Sequence, residues 1–210
     1  MIKAVIFDFD MTLNYSLFQK IFLMWKFCRA SGEGFLKLIF RLPKFFGTNF
    51  KQLVKDYSHF TIPEAKKVYI SAFKDTEWLC IFTGKKLIPE LRKQKYKIGI
   101  VSNELSENIN YSLKKHNIKI NKVISTFGFK KAKPHPMALN KMLRILKVKP
   151  SEAVYVGDHP NDIKMAKRAK VKMIAIKTIL QNKKDLLDCK PDYLIRNVNE
   201  VKRILKEINH

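Results

Sequence analysis

The chain opens with a short apolar run that ends on two carboxylates. Residues Ile2 to Phe7 include β-branched Val5 and Ile6, a composition that predicts a strand buried on both faces. Asp8 and Asp10 follow at once. In an open parallel sheet, ligands bind outside the carboxyl ends of the strands. Paired carboxylates there are costly to desolvate unless a cation or hydrogen-bond donors meet them, and Mg²⁺ is the usual cation for such oxygen ligands. Taken alone, however, Asp-x-Asp is better explained as a solvated acidic turn.

From Thr83 onward, apolar runs of strand length alternate with segments of helical periodicity. The predicted strands are 97–101, 122–126, 153–156 and 171–176, with a further edge strand at 193–195. The predicted helices are 87–94, 104–116, 136–146, 162–169 and 199–208. Strands that alternate with helices indicate a parallel sheet covered on both faces. The expected fold class is therefore α/β, with a Rossmann-like parallel sheet as its core.

Residues 14–82 differ from the segments that flank them, because they are rich in aromatic residues and show helical spacing. Phe18, Ile21, Phe22 and Trp25 mark one apolar helix face. Further helices are predicted from residue 35 to near 43, over 50–57 and over 63–73. We therefore expect an all-helical domain of about four helices, formed by residues 14–82 and inserted after the first strand. Residues 1–13 and 83–210 would form the core domain.

Polar residues stand at the ends of two further predicted strands. Ser102 and Asn103 follow one, and Asp158 and Asp162 follow another. Because all ends of parallel strands lie on one side of the sheet, these side chains can converge with Asp8 and Asp10. Taken alone, Ser102 with Asn103 is better explained as a helix N-cap. The alternative for Asp158 with Asp162 is helix capping with a favourable charge in the first turn. Lys133 lies on a proline-rich loop before a helix, and taken alone it is one lysine among many.

The net charge of +24, from 42 basic and 18 acidic residues, allows a nucleic-acid or anionic-membrane surface. The basic residues are spread along the chain rather than gathered in one arm, which favours solvated helix faces instead. We therefore consider nucleic acid an improbable partner that the charge leaves open. The apolar patches near residues 21–25 and 35–40 are interrupted by lysine and arginine, so no membrane span is expected.

The three cysteines are far apart in the chain and form no C-x-x-C pair. This spacing argues against a disulfide framework or a structural zinc site, and it favours reduced thiols in the cytoplasm. The chain begins with a predicted strand rather than with a cationic leader, which agrees with that location.

Four short motifs together resemble the haloacid dehalogenase superfamily of phosphohydrolases, close to its phosphoglycolate-phosphatase-like branch. They occur in that family's order, and the resemblance spans residues 1 to about 176. The motifs are Asp8-Phe-Asp-Met-Thr12, Ser102, Lys133 within Lys-Pro-His-Pro, and Gly157-Asp-His-Pro-Asn-Asp162. Each motif is weak singly, whereas all four in order form a strong signal. The helical insertion lies where that branch places its cap.

The resemblance implies a role for each motif residue. Asp8 would be the nucleophile that forms an aspartyl-phosphate, and Asp10 would move protons to the leaving oxygen and from water. Thr12, Ser102, Asn103 and Lys133 would bind the phosphoryl group. Mg²⁺ would be held by Asp8, the backbone carbonyl of Asp10, and Asp158, with Asp162 in support.

The resemblance also implies a function, with alternatives that stay open. We expect a Mg²⁺-dependent phosphatase acting on a small phosphorylated metabolite. The dehalogenase branch of the family lacks the second acid of the first motif, whereas this chain has Asp10 there. A phosphomutase on the same core is one alternative. A basic nucleic-acid-binding module that keeps the fold is another. Met11 stands where this family most often has glycine, which we interpret as a tolerated packing change near the cap hinge.

Overall fold

The computed structural model describes residues 1–32 and 50–209. Its strands are β1 (Ala4–Phe7), β2 (Asn14–Tyr15), β3 (Ile81–Phe82), β4 (Lys97–Ser102), β5 (Lys122–Ser125), β6 (Ala153–Gly157), β7 (Lys172–Ile176) and β8 (Tyr193–Ile195). Six of them form a parallel sheet in the order β5-β4-β1-β6-β7-β8. The predicted α/β class with a parallel sheet is confirmed.

Helices flank the sheet and form the segment between β2 and β3. The helices of the described residues are α1 (Leu17–Ala30), α2 (Phe50–Tyr57), α3 (Ile62–Thr76), α4 (Leu87–Lys93), α5 (Ser106–Lys115), α6 (Met137–Leu146), α7 (Pro160–Arg168), α8 (Lys183–Asp188) and α9 (Val201–Asn209). The second helix predicted for the insertion, from residue 35 to near 43, lies outside the described residues. The number of helices in the insertion therefore stays a prediction.

Strand β1 occupies the centre of the sheet, hydrogen-bonded to β4 on one side and β6 on the other. All four of its residues are buried, and they alternate between two apolar clusters. Val5 and Phe7 join the cluster with α4, α5, α9 and the helical insertion, whereas Ala4 and Ile6 join the cluster with α6 and α7. A strand buried on both faces needs this continuous apolar character, so the run that precedes Asp8 holds it at the middle of the sheet edge.

A short antiparallel ribbon connects the helical insertion to the sheet. In this ribbon β2 pairs with β3, and Asn14 lies opposite Phe82. The ribbon lies where the sequence divides the chain into two domains, although that division itself stays a prediction. Strands of two residues carry no periodic signal, so neither β2 nor β3 was expected.

Two further features of the described residues bear on the sequence expectations. No helix there combines the length and the apolar character that crossing a membrane requires. Cys28, Cys80 and Cys189 are not joined by disulfide bonds in this structure.

Candidate active site

Three neighbouring strands end at one edge of the sheet, each with a polar side chain at or just beyond its end. Asp8 follows β1, Ser102 ends β4, and Asp158 follows β6. These strands are adjacent and parallel, so the side chains converge although they are far apart in sequence. One cavity is lined by all three and by four more of the residues that the motifs single out, Asp10, Asn103, Lys133 and Asp162.

Asp8 is buried, and its carboxylate contacts a backbone N–H group and a lysine ammonium group. Its Oδ1 accepts a hydrogen bond from the backbone N–H of Phe9 at 2.7 Å and lies 2.8 Å from Nζ of Lys133. Burial raises the pKa of Asp8, while Lys133 acts in the opposite direction. The hydroxyl of Ser102 acts to lower the pKa of this carboxyl group. Lys133 therefore favours the ionised form of this carboxylate, which is the form that a nucleophile needs.

Lys133 is almost fully buried between two carboxylates. Its Nζ lies 2.8 Å from Oδ1 of Asp8 and 2.8 Å from Oδ1 of Asp162. Burial acts to lower the pKa of Lys133, but Asp162 and Asp8 outweigh it and raise the pKa. The side chain therefore stays a cation at the floor of the cavity. Asp162 is held in turn by the hydroxyl of Tyr155 at 3.3 Å and the backbone N–H of His159 at 3.1 Å.

Three carboxylates crowd together at this edge. Oxygens of Asp8, Asp158 and Asp162 lie within 4.8 Å of one another. Burial and then the charges of Asp162 and Asp8 raise the pKa of Asp158 well above its ordinary value. The hydroxyls of Thr12 and Thr178 each donate to Asp158 at 3.3 Å. The resemblance assigns Thr12 to phosphate binding. In this structure its hydroxyl donates instead to the carboxylate of Asp158.

Asp10 faces the same cavity from the turn after β1. Its Oδ1 accepts a hydrogen bond from the hydroxyl of Ser16 at 3.2 Å, and its Oδ2 lies 2.9 Å from Nζ of Lys20. Burial raises the pKa of Asp10 to about 6, in spite of the opposing charge of Lys20. A carboxyl group with such a pKa can exchange protons near neutral pH.

Ser102 and Asn103 both line the cavity at the end of β4. The Oγ of Ser102 accepts from the backbone N–H of Glu104 at 3.3 Å. The side-chain oxygen of Asn103 accepts from the hydroxyl of Thr126 at 2.7 Å, which fixes the amide. The predicted placement of both side chains at the site edge agrees with this geometry, while their role in phosphate binding stays a prediction.

The sequence did not single out three cavity residues that the fold brings to Asp10. Lys20 of α1, Tyr69 of α3 and Glu104 before α5 form a connected group beside it. In the sequence, Lys20 only interrupts an apolar helix face, and Glu104 begins a predicted helix. The contacts among these residues depend on the packing of the insertion against the core. The local sequence pattern around each residue therefore does not predict them.

Comparison with known proteins places this geometry in a family. The model of the haloacid dehalogenase-like hydrolases matches residues 5–176. The chain belongs to this family. The predicted resemblance is therefore confirmed, and the matched range includes the strand ends after β1, β4 and β6 together with the loop that carries Lys133.

Relatives of this haloacid dehalogenase-like chain include pyrophosphatases PpaX from Bacillus species. The protein from Bacillus mycoides is 34% identical over 124 residues, which cover 58% of this chain and 58% of that relative. The one from Bacillus anthracis is 32% identical over 124 residues and is matched over 57% of its length. The chain thus matches little more than half the length of these curated relatives.

Solved structures share the fold over nearly the whole chain. CbbY from Rhodobacter sphaeroides, in complex with phosphate, has a TM-score of 0.81 at 18% identity and covers 96% of each chain. The β-phosphoglucomutase of Clostridium difficile has a TM-score of 0.75 at 18% identity, covering 100% of this chain and 98% of its own. At this identity the likeness concerns the fold.

The acidic cluster fits a divalent cation that this family generally uses. Asp8, Asp158 and Asp162 supply hard oxygen donors, and their close approach is costly without a positive charge between them. Lys133 supplies part of that charge. Asp162 is occupied by Lys133, Tyr155 and the backbone of His159. Asp8 and Asp158 are therefore better placed than Asp162 to take a metal ion.

Proposed function

We propose that this protein is a Mg²⁺-dependent phosphatase that hydrolyses a small phosphomonoester through an aspartyl-phosphate on Asp8. The observation that carries the proposal is the arrangement around the Asp8 carboxylate. Lys133 lies 2.8 Å from it, and Asp158 and Asp162 crowd beside it. The Asp8 carboxylate is buried, faces a cavity and lies beside both Lys133 and the acidic cluster. This arrangement suits attack on a phosphorus atom.

The reaction would proceed in two balanced steps. In the first, an oxygen of Asp8 attacks phosphorus, the bond from phosphorus to the leaving oxygen breaks, and Asp10 gives its proton to that oxygen. In the second, water attacks the aspartyl-phosphate, Asp10 takes a proton from this water, and Asp8 is released with inorganic phosphate. One carboxyl group thus serves as acid and then as base.

Fixed groups of the chain would hold the phosphoryl oxygens through both steps. Lys133, Ser102 and Asn103 line the cavity around Asp8, and donors placed where charge develops supply much of the catalysis of phosphoryl transfer. Thr12 would hold Asp158 through the hydroxyl contact at 3.3 Å. When bound by Asp8, Asp158 and the backbone carbonyl of Asp10, Mg²⁺ would offset the charge between carboxylates and phosphate.

The helical insertion would act as a cap over this cavity. The cavity is lined by four residues of the insertion, Lys20, Phe50, Leu53 and Tyr69, together with the residues at the strand ends. A cap of this kind excludes water and selects the leaving group. Among the described residues of the insertion, Phe50 and Leu53 give the cavity lining apolar surface and Lys20 gives it one positive charge. This lining favours a small metabolite as substrate.

The proposal is tested by measuring phosphate release from p-nitrophenyl phosphate and from a panel of metabolite phosphates, with and without Mg²⁺. We expect release that is abolished by chelation and reduced at least about a thousandfold in Asp8→Asn, because the nucleophile is lost. Asp185→Asn is the matched control, since Asp185 is an exposed aspartate of α8. Full activity of Asp8→Asn would contradict the assigned nucleophile.

An extended substrate panel and two further measurements separate the alternatives. Pyrophosphate belongs in the panel because the Bacillus relatives are named pyrophosphatases. A phosphomutase would transfer phosphate between sugar phosphates without net release. A nucleic-acid-binding module, which the charge of +24 leaves open, would be retained on a nucleic-acid column at low salt and released as salt rises.

A further inference from the structure

A lysine of the helical insertion reaches into the cavity and contacts Asp10. Lys20 lies on α1 and is 6% exposed, and its Nζ is 2.9 Å from Oδ2 of Asp10. The same ammonium group is hydrogen-bonded to Oε2 of Glu104. Ser16 donates to the other oxygen of Asp10 at 3.2 Å. Both oxygens of Asp10 are therefore held by residues that follow it in the insertion.

Glu104 connects this lysine to the core. It precedes α5, and its Oε1 accepts from the backbone N–H of Leu105 at 2.8 Å and from the amide of Asn108 at 2.9 Å. Its Oε2 accepts from the hydroxyl of Tyr69, on α3, at 3.1 Å. Glu104 is thus fixed by its own helix, while Lys20 and Tyr69 come to it from the insertion. The contact of Lys20 with Asp10 depends on the insertion lying against the core.

We propose that Lys20 is a positioning residue for Asp10, which it aligns for proton transfer when α1 packs against Glu104. The proposal rests on the proposed function. As Asp10 gives its proton to the leaving oxygen, negative charge develops on a carboxylate that lies 2.9 Å from the ammonium group. An oriented cation at that point is most effective when the cavity is closed and dry. Lys20 would therefore couple closure of the insertion to the chemistry at Asp10.

A purely structural ion pair makes a different prediction. Buried ion pairs often add little stability, and their replacement by apolar groups can be neutral. If Lys20 only held the insertion in place, its removal would slow the hydrolysis of every substrate alike. If it acts through Asp10, the loss depends on how strongly the leaving group needs a proton.

The test compares Lys20→Met with wild type on two substrates. p-Nitrophenolate leaves without a proton, whereas the alkoxide of β-glycerophosphate needs one. The ratio kcat/KM reports steps up to departure of the leaving group. We expect Lys20→Met to lower kcat/KM about 100-fold or more for β-glycerophosphate and less than about tenfold for p-nitrophenyl phosphate. Lys20→Arg, which keeps the charge, should recover much of the loss. Lys26→Met is the matched control on α1, since Lys26 pairs with Asp75 at the surface.

A double variant makes the test stricter. If Lys20 acts only through Asp10, then Asp10→Asn/Lys20→Met loses no more activity on β-glycerophosphate than Asp10→Asn alone. Because Lys20→Met leaves Glu104 as a buried, unneutralised charge, Lys20→Met/Glu104→Gln provides a second variant in which both charges are absent. Its kcat/KM values should show the same dependence on the leaving group.

The outcomes are distinct. Parallel losses on both substrates, or additive losses in the double variant, would overturn the role of Lys20 while leaving the proposed function intact. If wild type released no phosphate from these two substrates or from any member of the metabolite panel, the proposed function would fail, and the role of Lys20 with it.

Discussion

Met11 adopts a backbone conformation that ordinarily favours glycine. Its φ is 57°, in the left-handed region, and its side chain is 6% exposed and lines the cavity. The backbone strain and the buried side chain act in opposite directions, because a left-handed residue with a Cβ costs about 1–2 kcal/mol while burial of a methionine contributes about 1.5–3 kcal/mol. The turn therefore tolerates methionine where the family most often has glycine.

Substitution of Met11 separates these two effects. Met11→Ala loses the buried side chain and keeps the strain, whereas Met11→Gly loses both. After allowing for the larger entropy of glycine in the unfolded chain, we expect Met11→Gly to be about 0.5–1 kcal/mol more stable than Met11→Ala. The measurement is the free energy of unfolding in urea. An alanine variant more stable than the glycine variant would contradict the role assigned to φ.

Cys80 lies in surroundings that disfavour its thiolate form. Its Sγ donates to the side-chain oxygen of Gln19 at 2.8 Å, and burial raises its pKa from 9.0 to about 12. Only the thiolate is alkylated, so a rise of this size lowers the reactive fraction at pH 8 about a thousandfold. We expect iodoacetamide to modify Cys80 far more slowly than a short peptide thiol, with a rate that grows about tenfold per pH unit up to pH 11.

Mass spectrometry of tryptic peptides after timed alkylation gives the rate at Cys80 directly. The peptide thiol in the same tube is the reference, and Cys80→Ser checks that the modified peptide is assigned correctly. Labelling of Cys80 at the rate of the peptide thiol at pH 8 would contradict the shift.

At this scale the sequence predicts the residues at or just after strand ends, and it misses contacts made by packing of the insertion against the rest of the chain. The proximity of Asp8, Ser102 and Asp158 could be predicted from the sequence, because the ends of parallel strands share one edge of the sheet. That of Lys20 and Glu104 could not, since their contact is made by tertiary packing between α1 and the start of α5. The roles of all these residues stay predictions until variants are measured.

At the scale of elements, the packing of β6 against α7 leaves no room for a side chain at Gly157. A methyl group added there would lie 2.5 Å from Oδ2 and 2.7 Å from Cγ of Asp162. Asp162 has little freedom to move, because Lys133 and the backbone of His159 hold its two oxygens. Strand and helix would have to separate.

We therefore expect Gly157→Ala to destabilise the fold by about 2–3 kcal/mol and to lower phosphatase activity at least about tenfold. Gly99→Ala, in β4 of the same sheet, is the control. Its added methyl group would lie 2.8 Å from Sδ of Met142, the flexible part of a side chain that can shift. Its cost should be about 1 kcal/mol with activity kept. Unfolding in urea and phosphate release measure both, and equal effects of the two substitutions would contradict the argument.

Element boundaries show where local pattern fails. Helix α5 begins at Ser106, not at residue 104 as predicted, because the Glu104 carboxylate accepts from the backbone N–H of Leu105 and pairs with Lys20. The contact with Lys20 thus keeps Glu104 out of the helix to which its propensity assigns it. Helix α8, Lys-Lys-Asp-Leu-Leu-Asp, is too short to show a period and was not expected.

For the whole molecule, alternation of strands and helices predicted a parallel sheet, and the order of strands remained open. The order β5-β4-β1-β6-β7-β8 places the first strand at the centre, and alternation along the sequence does not encode this order. Composition gave even less guidance, since the charge of +24 is compatible with a phosphatase and with a binding module. The acidic side chains and Lys133 beside the strand ends support the phosphatase that we propose, and composition carries no information about their arrangement.

That charge has a consequence for stability. With 42 basic and 18 acidic residues, the folded chain brings like charges together, and this repulsion weakens as salt shortens the Debye length. The buried pairs of Lys133 are screened much less than exposed charges. We expect Tm to rise by about 2–4 °C between 20 mM and 500 mM NaCl, equivalent to about 1 kcal/mol in a chain of this size.

Differential scanning fluorimetry at several NaCl concentrations measures this rise. Chloride is used because phosphate or sulfate could bind at Lys133 and stabilise the fold by mass action. A variant with Lys164→Gln, Lys167→Gln and Lys172→Gln removes three exposed charges on and beside α7. It should melt at a higher temperature than wild type in 20 mM NaCl and respond less to added salt, because less repulsion remains to be screened. A Tm that stays constant or falls with salt in wild type would mean that its basic residues are spaced too widely, or paired too well, for self-repulsion to matter.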